Sequence, residues 1–189
     1  MAMPIVATAQ WRKMKNDDSI LIAAAQRDPA EFAALYDRYV QPVYRYFYSR
    51  LASPADAEDL TAQTFLAALE SLPRYHHRGH LSAWLFAIAR NKAMDHFRRR
   101  RPQVPLSEAD RSDEPDPVTR VARGDEIKRL LDLVRGLGES DRELIRLRFA
   151  AGLSFAEMAA LLKKKEDTVK KSLYRLLARL QSQLEESHA

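Results

Sequence analysis

The sequence predicts an all-α protein, built as two small helical domains joined by a flexible linker. Three observations predict it. Apolar residues recur at i, i+3, i+4 and i+7 through most of the chain, the spacing of amphipathic helices. Only five Gly occur in 189 residues, Ala and Leu are abundant, and β-branched runs are few, so little favours strands. One stretch, residues 102–117, is rich in Pro, Ser and acidic residues, lacks apolar periodicity and divides the chain. The expected organisation is a flexible lead at 1–17, a first domain at 18–101, the linker at 102–117 and a second domain at 118–185.

The elements follow in order. Asp18 or Ser19 opens a short helix through Leu21, Ile22 and Ala25. Asp28-Pro29-x-Glu31 supplies a cap, a Pro at the first helical position and an acid three residues in. The second helix then places Phe32, Leu35, Tyr36, Tyr39, Val43 and Phe47 on one face, with Pro42 expected to kink it. Helical spacing makes these rings core rather than a stacking platform. Ser53-Pro54 starts a third helix, with Ala57, Leu60, Phe65, Leu69 and Leu72 apolar and Asp56, Glu58, Asp59, Gln63 and Thr64 polar. Acids in a first turn suit the helix dipole; a docking surface for a basic partner is the alternative.

The fourth helix, Leu81 to Arg101, changes character along its length. Ser82 is a reasonable N-cap, and Leu81, Trp84, Leu85 and Ile88 make an apolar start. Arg90, Asn91, Lys92 and Asp95 follow, and four Arg close it, so one half suits a core and the other an anionic partner. The lead-in Tyr75, His76, His77, Arg78 and His80 mixes rings with cations, which suits stacking on exposed bases beside phosphate contacts.

In the second domain a helix through Ile127, Leu130, Leu131 and Val134 stops at Gly136 and Gly138. Ser140-x-x-Glu143 reads as a capping box leading into Leu144, Ile145, Leu147 and Phe149, broken by Gly152. Ser154-x-x-Glu157 is a second box, opening Phe155 to Leu162. Lys163, Lys164 and Lys165 form a turn, and a last helix runs from about Asp167 through Val169, Leu173, Leu176, Leu177 and Leu180. A short helix, a tight turn and a longer basic helix make a helix-turn-helix, whose second helix enters the major groove of DNA.

Charge and composition narrow the function. Lys and Arg total 31 against 26 Asp and Glu, a net charge of +5. Residues 1–101 carry 15 basic and 10 acidic side chains, 102–122 carry 2 and 5, and 123–189 carry 14 and 11, so two basic ends flank an acidic middle. There is no Cys, hence no disulfide and no thiolate site, which fits a cytoplasmic protein. No apolar run approaches the roughly 20 residues of a membrane span. The N-terminal MAMPIVATAQWRKMK has its basic residues after its short apolar part, the reverse of a signal peptide.

Four stretches together resemble a known family. AAAQRDPAEFAALYDRYVQPVYRYFYSRL, DAEDLTAQTFLAAL (residues 56–69), LSAWLFAIARNKAMDHFRRR and GLSFAEMAALLKKKEDTVKKSLYR are similar, in order and spacing, to regions 2.1, 2.2, 2.3–2.4 and 4.2 of the bacterial sigma-70 family, in its small extracytoplasmic function (ECF) type. The resemblance covers Asp18 to Leu184. It implies a specificity subunit of RNA polymerase, not an enzyme, that binds core polymerase, recognises minus-thirty-five and minus-ten promoter elements, helps melt the promoter and directs initiation. It implies no cofactor and no metal, and an anti-sigma inhibitor as a further partner. Position by position, Asp56, Glu58, Asp59, Gln63, Thr64 and Phe65 match the helix that grips core polymerase. His76, His77, Arg78 and Gly79 match the loop that captures a flipped minus-ten base, with Trp84, Asn91, Lys92, Asp95 and Arg98 beside it. Lys164, Thr168, Lys170, Lys171, Tyr174 and Arg175 match the minus-thirty-five reader. There are departures: Lys163 stands where the turn usually has Gly, and Lys171-Ser172 where Ser then Arg are common.

Two other classes compete. An ordinary helix-turn-helix regulator would bind duplex DNA alone, usually as a dimer, without needing the acidic 56–59 surface. A metal enzyme could use His76, His77 and His80, but adjacent His in a basic loop lack a nearby carboxylate, and no Cys is available.

Overall fold

The structure is a computed structural model and describes residues 18–77, 79–100 and 125–186, the side chains of Arg100 and of 125–127 excepted. The expectations for the lead 1–17, for Arg78, for the linker 102–117 and for the start of the second domain at 118 lie outside the described residues. Among the described residues every regular element is helical.

Helix α1 spans residues 18–27. Asp28 accepts from the Ala30 N–H at 2.9 Å, capping a 3-10 turn, Pro29–Glu31, that feeds α2, Phe32–Leu51. Helix α2 runs through Pro42 without a break and ends at Ala52, whose φ of 53° is left-handed. Helix α3, Pro54–Ser71, starts as the sequence predicts, with Ser53 Oγ accepting from the Asp56 N–H at 3.3 Å. A second 3-10 turn, Leu72–Arg74, leads through a loop to α4, Leu81–Arg100. These helices bury Leu35, Val43, Phe47, Ala57, Phe65, Leu85 and Phe86, and Tyr46 meets Phe86 edge-on at 5.6 Å.

The second half comprises α5, Asp125–Arg135; α6, Glu139–Ile145, which continues as a π turn, Arg146–Ala150; α7, Phe155–Leu162; and α8, Glu166–Glu186. Leu147, Met158, Val169, Leu173, Leu176 and Leu180 are buried between them. The Ser154–Glu157 box forms: Glu157 N–H donates to Ser154 Oγ at 3.3 Å, and Ser154 N–H to Glu157 Oε2 at 2.7 Å.

Several expectations are corrected. The Ser140–Glu143 box does not form: Gly138 is the N-cap without a side-chain bond, and Glu143 is buried against the first domain. Ser82 is not an N-cap; α4 already starts at Leu81, and the buried Ser82 Oγ donates to Glu157 Oε1 at 2.6 Å. Tyr36, read as core with the other α2 rings, is exposed at 42%, and the apolar Phe149 and Leu69 are exposed as well. Among the described residues the two halves touch chiefly where α2 meets the π turn and where α4 meets α7.

Candidate nucleic-acid and protein interfaces

The polar face of α3 is presented as the sequence predicts for Glu58 and Asp59, which are exposed, while Asp56 and Gln63 are half-buried. Gln63 Nε2 donates to Asp59 Oδ2 at 2.7 Å, one turn apart, and fixes that carboxylate. Thr64 and Phe65 differ from expectation. Both are buried: Thr64 Oγ1 donates to the Leu60 carbonyl of its own helix at 2.7 Å, and the Phe65 ring packs edge-on against Tyr36 at 4.7 Å. They hold α3 from beneath and offer no side-chain surface to a partner. Helices α3 and α4 leave a groove of about 280 Å³ in which Asp56, Asp59 and Gln63 face Lys92, Asp95 and Arg99. The acidic patch and part of the basic helix are thus one continuous surface.

The loop before α4 is built on rings. Tyr75 lies against Trp84 at 4.3 Å with 31° between the planes, and His77 sits edge-on to Tyr75 at 6.2 Å. Gly79 has a φ of 84°, which a side chain would strain. His76 and Asn91 are exposed, and Asp95 pairs with Arg98 at 3.0 Å. A residue with no signal in the sequence supports this loop. Gln26, from α1, donates through Nε2 to the carbonyls of Leu72 at 2.9 Å and Tyr75 at 2.8 Å.

On α8, Thr168, Lys170, Lys171, Tyr174 and Arg175 are exposed, while Val169, Leu173, Leu176 and Leu180 are buried. The cationic face therefore points outward because the leucine face is used against α7. The Tyr174 ring lies 5.9 Å from Phe155, over which the Arg148 guanidinium sits at 5.0 Å. Lys163 adopts φ 53°, ψ 44°, left-handed without being glycine, and Lys164 is exposed beside it.

A further cluster joins the halves. Tyr46 and Arg50 of α2 reach Glu143 of α6 at 2.9 and 2.8 Å, and Arg50 reaches Glu139 at 3.1 Å. Burial pushes the Tyr46 phenol above its ordinary range, and the Glu143 carboxylate adds to the rise. Burial lowers Arg146, with Arg50 adding to the fall; Arg50 itself is raised because Tyr46, Glu143 and Glu139 together outweigh its own burial.

No group of three His, Asp or Glu among the described residues could hold a metal ion, and no helix is long and apolar enough to cross a membrane.

Comparison with known proteins agrees with this arrangement. The family description "Sigma-70 region 2" matches residues 35–103, and "Sigma-70, region 4" matches residues 127–180. "ECF RNA polymerase sigma factor BldN" of Streptomyces coelicolor is 39% identical over 166 residues, covering 85% of this chain and 63% of that protein. The chain thus spans less than two thirds of that relative's length. "ECF RNA polymerase sigma factor SigC" of Mycobacterium tuberculosis is 31% identical over 143 residues, 75% of this chain and 77% of that one. Among solved structures, CnrH in complex with the cytosolic domain of CnrY superposes with a TM-score of 0.66 at 27% identity, over 88% of this chain and 96% of that one.

Proposed function

The chain belongs to the sigma-70 family, among its ECF sigma factors, and from that premise we propose that it binds core RNA polymerase, recognises minus-thirty-five and minus-ten elements and directs transcription initiation. The observation that carries this reading is the outward cationic face of α8, with Lys171, Tyr174 and Arg175 at i, i+3 and i+4 over a buried leucine face. Such a face delivers a fork-shaped guanidinium to base edges in the major groove.

In this proposal Asp56, Glu58, Asp59 and Gln63 contact core polymerase, and Thr64 and Phe65 keep α3 in place. The ring-lined loop with His76, His77, Arg78 and Gly79 takes an extruded minus-ten base, since such a pocket needs a ring or cation to stack on and polar groups for the base edge. Trp84 backs that loop through Tyr75, and Asn91, Lys92, Asp95 and Arg98 line the approach. Lys164, Thr168 and Lys170 flank the minus-thirty-five contact. Polymerisation belongs to the partner, so no catalytic group is required of this chain. We place the protein in the cytoplasm with the polymerase. CnrH was solved with CnrY, and RpoE of Bartonella quintana with the anti-sigma factor NepR; a comparable inhibitor is proposed here.

Run-off transcription with purified core polymerase on a promoter library tests the proposal. A defined set of promoters should fire only when the chain is added. Tight, sequence-specific duplex binding by the free chain, with no effect on core polymerase, would favour a plain helix-turn-helix regulator.

A further inference from the structure

We propose that Gln26 is the positioning residue of the loop before α4: its side-chain amide fixes the direction in which the chain leaves α3, and with it where His76 and His77 stand to receive a minus-ten base. The inference rests on the promoter-reading function proposed above. Gln26 lies in the last turn of α1, beside Ile22 and Ala25, whose burial seats that helix. The far end of α1 is tied as well. Asp18 accepts from Tyr39 Oη at 3.1 Å and pairs with Arg38 at 3.1 Å, both on α2. From this seat Gln26 Nε2 donates to the Leu72 carbonyl at 2.9 Å and to the Tyr75 carbonyl at 2.8 Å, 46 and 49 positions along the chain.

The two carbonyls belong to one turn. Leu72 opens the 3-10 turn after α3, and its oxygen also accepts from the Tyr75 N–H at 3.0 Å, the bond that closes the turn. Tyr75 then takes φ −75°, ψ 123°, and the chain leaves extended. The Leu72 and Tyr75 oxygens converge on one point, where their partial charges repel. A donor with two hydrogens placed between them removes that repulsion. The amide nitrogen of Gln has two, and because both partners only accept, the nitrogen has to face them. The bend at Tyr75 matters because His76 and His77 follow it directly and swing with its backbone. The Tyr75 ring is held separately, 4.3 Å from Trp84. At the other end of the loop Gly79, with φ 84°, has nothing within 4 Å of an added Cβ among the described residues. The loop is therefore fixed at its entry, where Gln26 acts. Gln26 is itself exposed, so water competes for both oxygens and the expected effect is moderate.

Three variants separate the donors from the rest of the side chain. Gln26→Glu keeps the shape but puts a carboxylate that only accepts against the two oxygens; Gln26→Ala removes the side chain; Gln26→Lys restores donors on a longer stem. In the free chain, with Trp11→Phe so that Trp84 is the one indole, Trp84 emission and near-ultraviolet circular dichroism read the contact with Tyr75. Gln26→Glu and Gln26→Ala should shift both signals at unchanged helicity, and Gln26→Lys should return them. With core polymerase added, open-complex formation is measured on promoters varied base by base in each element. Gln26→Glu and Gln26→Ala should lower discrimination among minus-ten variants about five- to tenfold, the size of a hydrogen bond or two, and leave discrimination at minus-thirty-five unchanged. Gln26→Lys should recover most of the loss. Wild-type minus-ten discrimination in Gln26→Glu, an unmoved Trp84 signal, an equal loss at both elements, or Gln26→Lys no better than Gln26→Ala overturns the proposal. A wild-type holoenzyme that discriminates at neither element overturns the promoter reading instead, while the Trp84 signal still decides whether Gln26 holds the loop.

Discussion

Lys163 occupies a backbone conformation that suits glycine. Its φ of 53° and ψ of 44° terminate α7, and a side chain there costs about 1 kcal/mol. Lys163→Gly should therefore raise the stability of the second domain by roughly 0.5–1 kcal/mol, the gain being partly offset by the freer unfolded chain. Urea unfolding followed by circular dichroism measures it, and a clear loss of stability would show that the Lys163 side chain contributes more than its strain. Tyr46 gives a pH-dependent prediction. Burial, then the Glu143 carboxylate, hold its phenol protonated above the ordinary value of 10.0. The folded chain thus keeps a proton that the unfolded chain releases as pH rises. The contribution is fully present below pH 10.0 and is lost on going more alkaline. Tyr39, raised by burial and by Asp18, acts in the same sense. Tyr46→Phe should cost about 1 kcal/mol at neutral pH through the lost hydrogen bond, and should flatten the fall in stability above pH ~10. An unchanged alkaline slope in urea titrations would mean that Tyr46 ionises freely in the folded state.

Helices were legible in this sequence wherever a local rule suffices. The leucine register of α8, the Ser53-Pro54 start of α3 and the Ser154–Glu157 box all concern partners within one turn or one face, and all appear as expected. What spacing cannot give is the destination of a polar side chain that leaves its own helix. Ser140 and Glu143 have the spacing of a capping box, yet Glu143 bonds Tyr46, 97 positions away, and Ser82 bonds Glu157, 75 positions away. For Thr64 and Phe65 the resemblance marks the helix proposed to dock, while burial decides which of its side chains are accessible in the free chain. Two predictions belong to these helices. Reversing charge at Asp56 and Asp59 together should abolish capture by core polymerase while helicity stays native, since Asp59 is exposed and Asp56 only half-buried, and substitutions outside the core cost little stability. Retained capture in a pull-down would remove α3 from the docking surface. On α8, Arg175→Ala should cost about 1–3 kcal/mol on the preferred promoter and relax preference at one minus-thirty-five position. Lys164→Ala, at the turn, should weaken all promoters alike and reduce the salt slope by about one. Holoenzyme binding to single-base promoter variants at several salt concentrations separates the two, and an equal loss on every variant for Arg175→Ala would make it a phosphate contact.

At the scale of the whole molecule the consequence is one of valency. Two modules on one chain gain from each other only if both can reach their sites, and the gain vanishes when geometry forbids it. Ser82 Oγ bonds Glu157 across the two halves, while the cationic face of α8 remains exposed. The free chain should then bind DNA one module at a time, mainly through phosphate attraction to its Lys and Arg, so that its affinity falls steeply with salt. A duplex carrying both elements should bind it no more than about twofold better than one carrying only the minus-thirty-five element, a statistical rather than a multivalent difference. On the function proposed above, core polymerase would change the comparison by positioning both modules and by supporting an opened strand, whose bases the loop around His76 and His77 would then reach. With core present the two-element promoter should be preferred by about 100-fold or more, within the range expected of linked sites. Fluorescence anisotropy on labelled duplexes, with and without core, makes both measurements on the same DNA. A free chain that already prefers the two-element duplex by more than about tenfold would mean that its modules separate unaided, and that discrimination resides in the chain and not in its assembly with the polymerase.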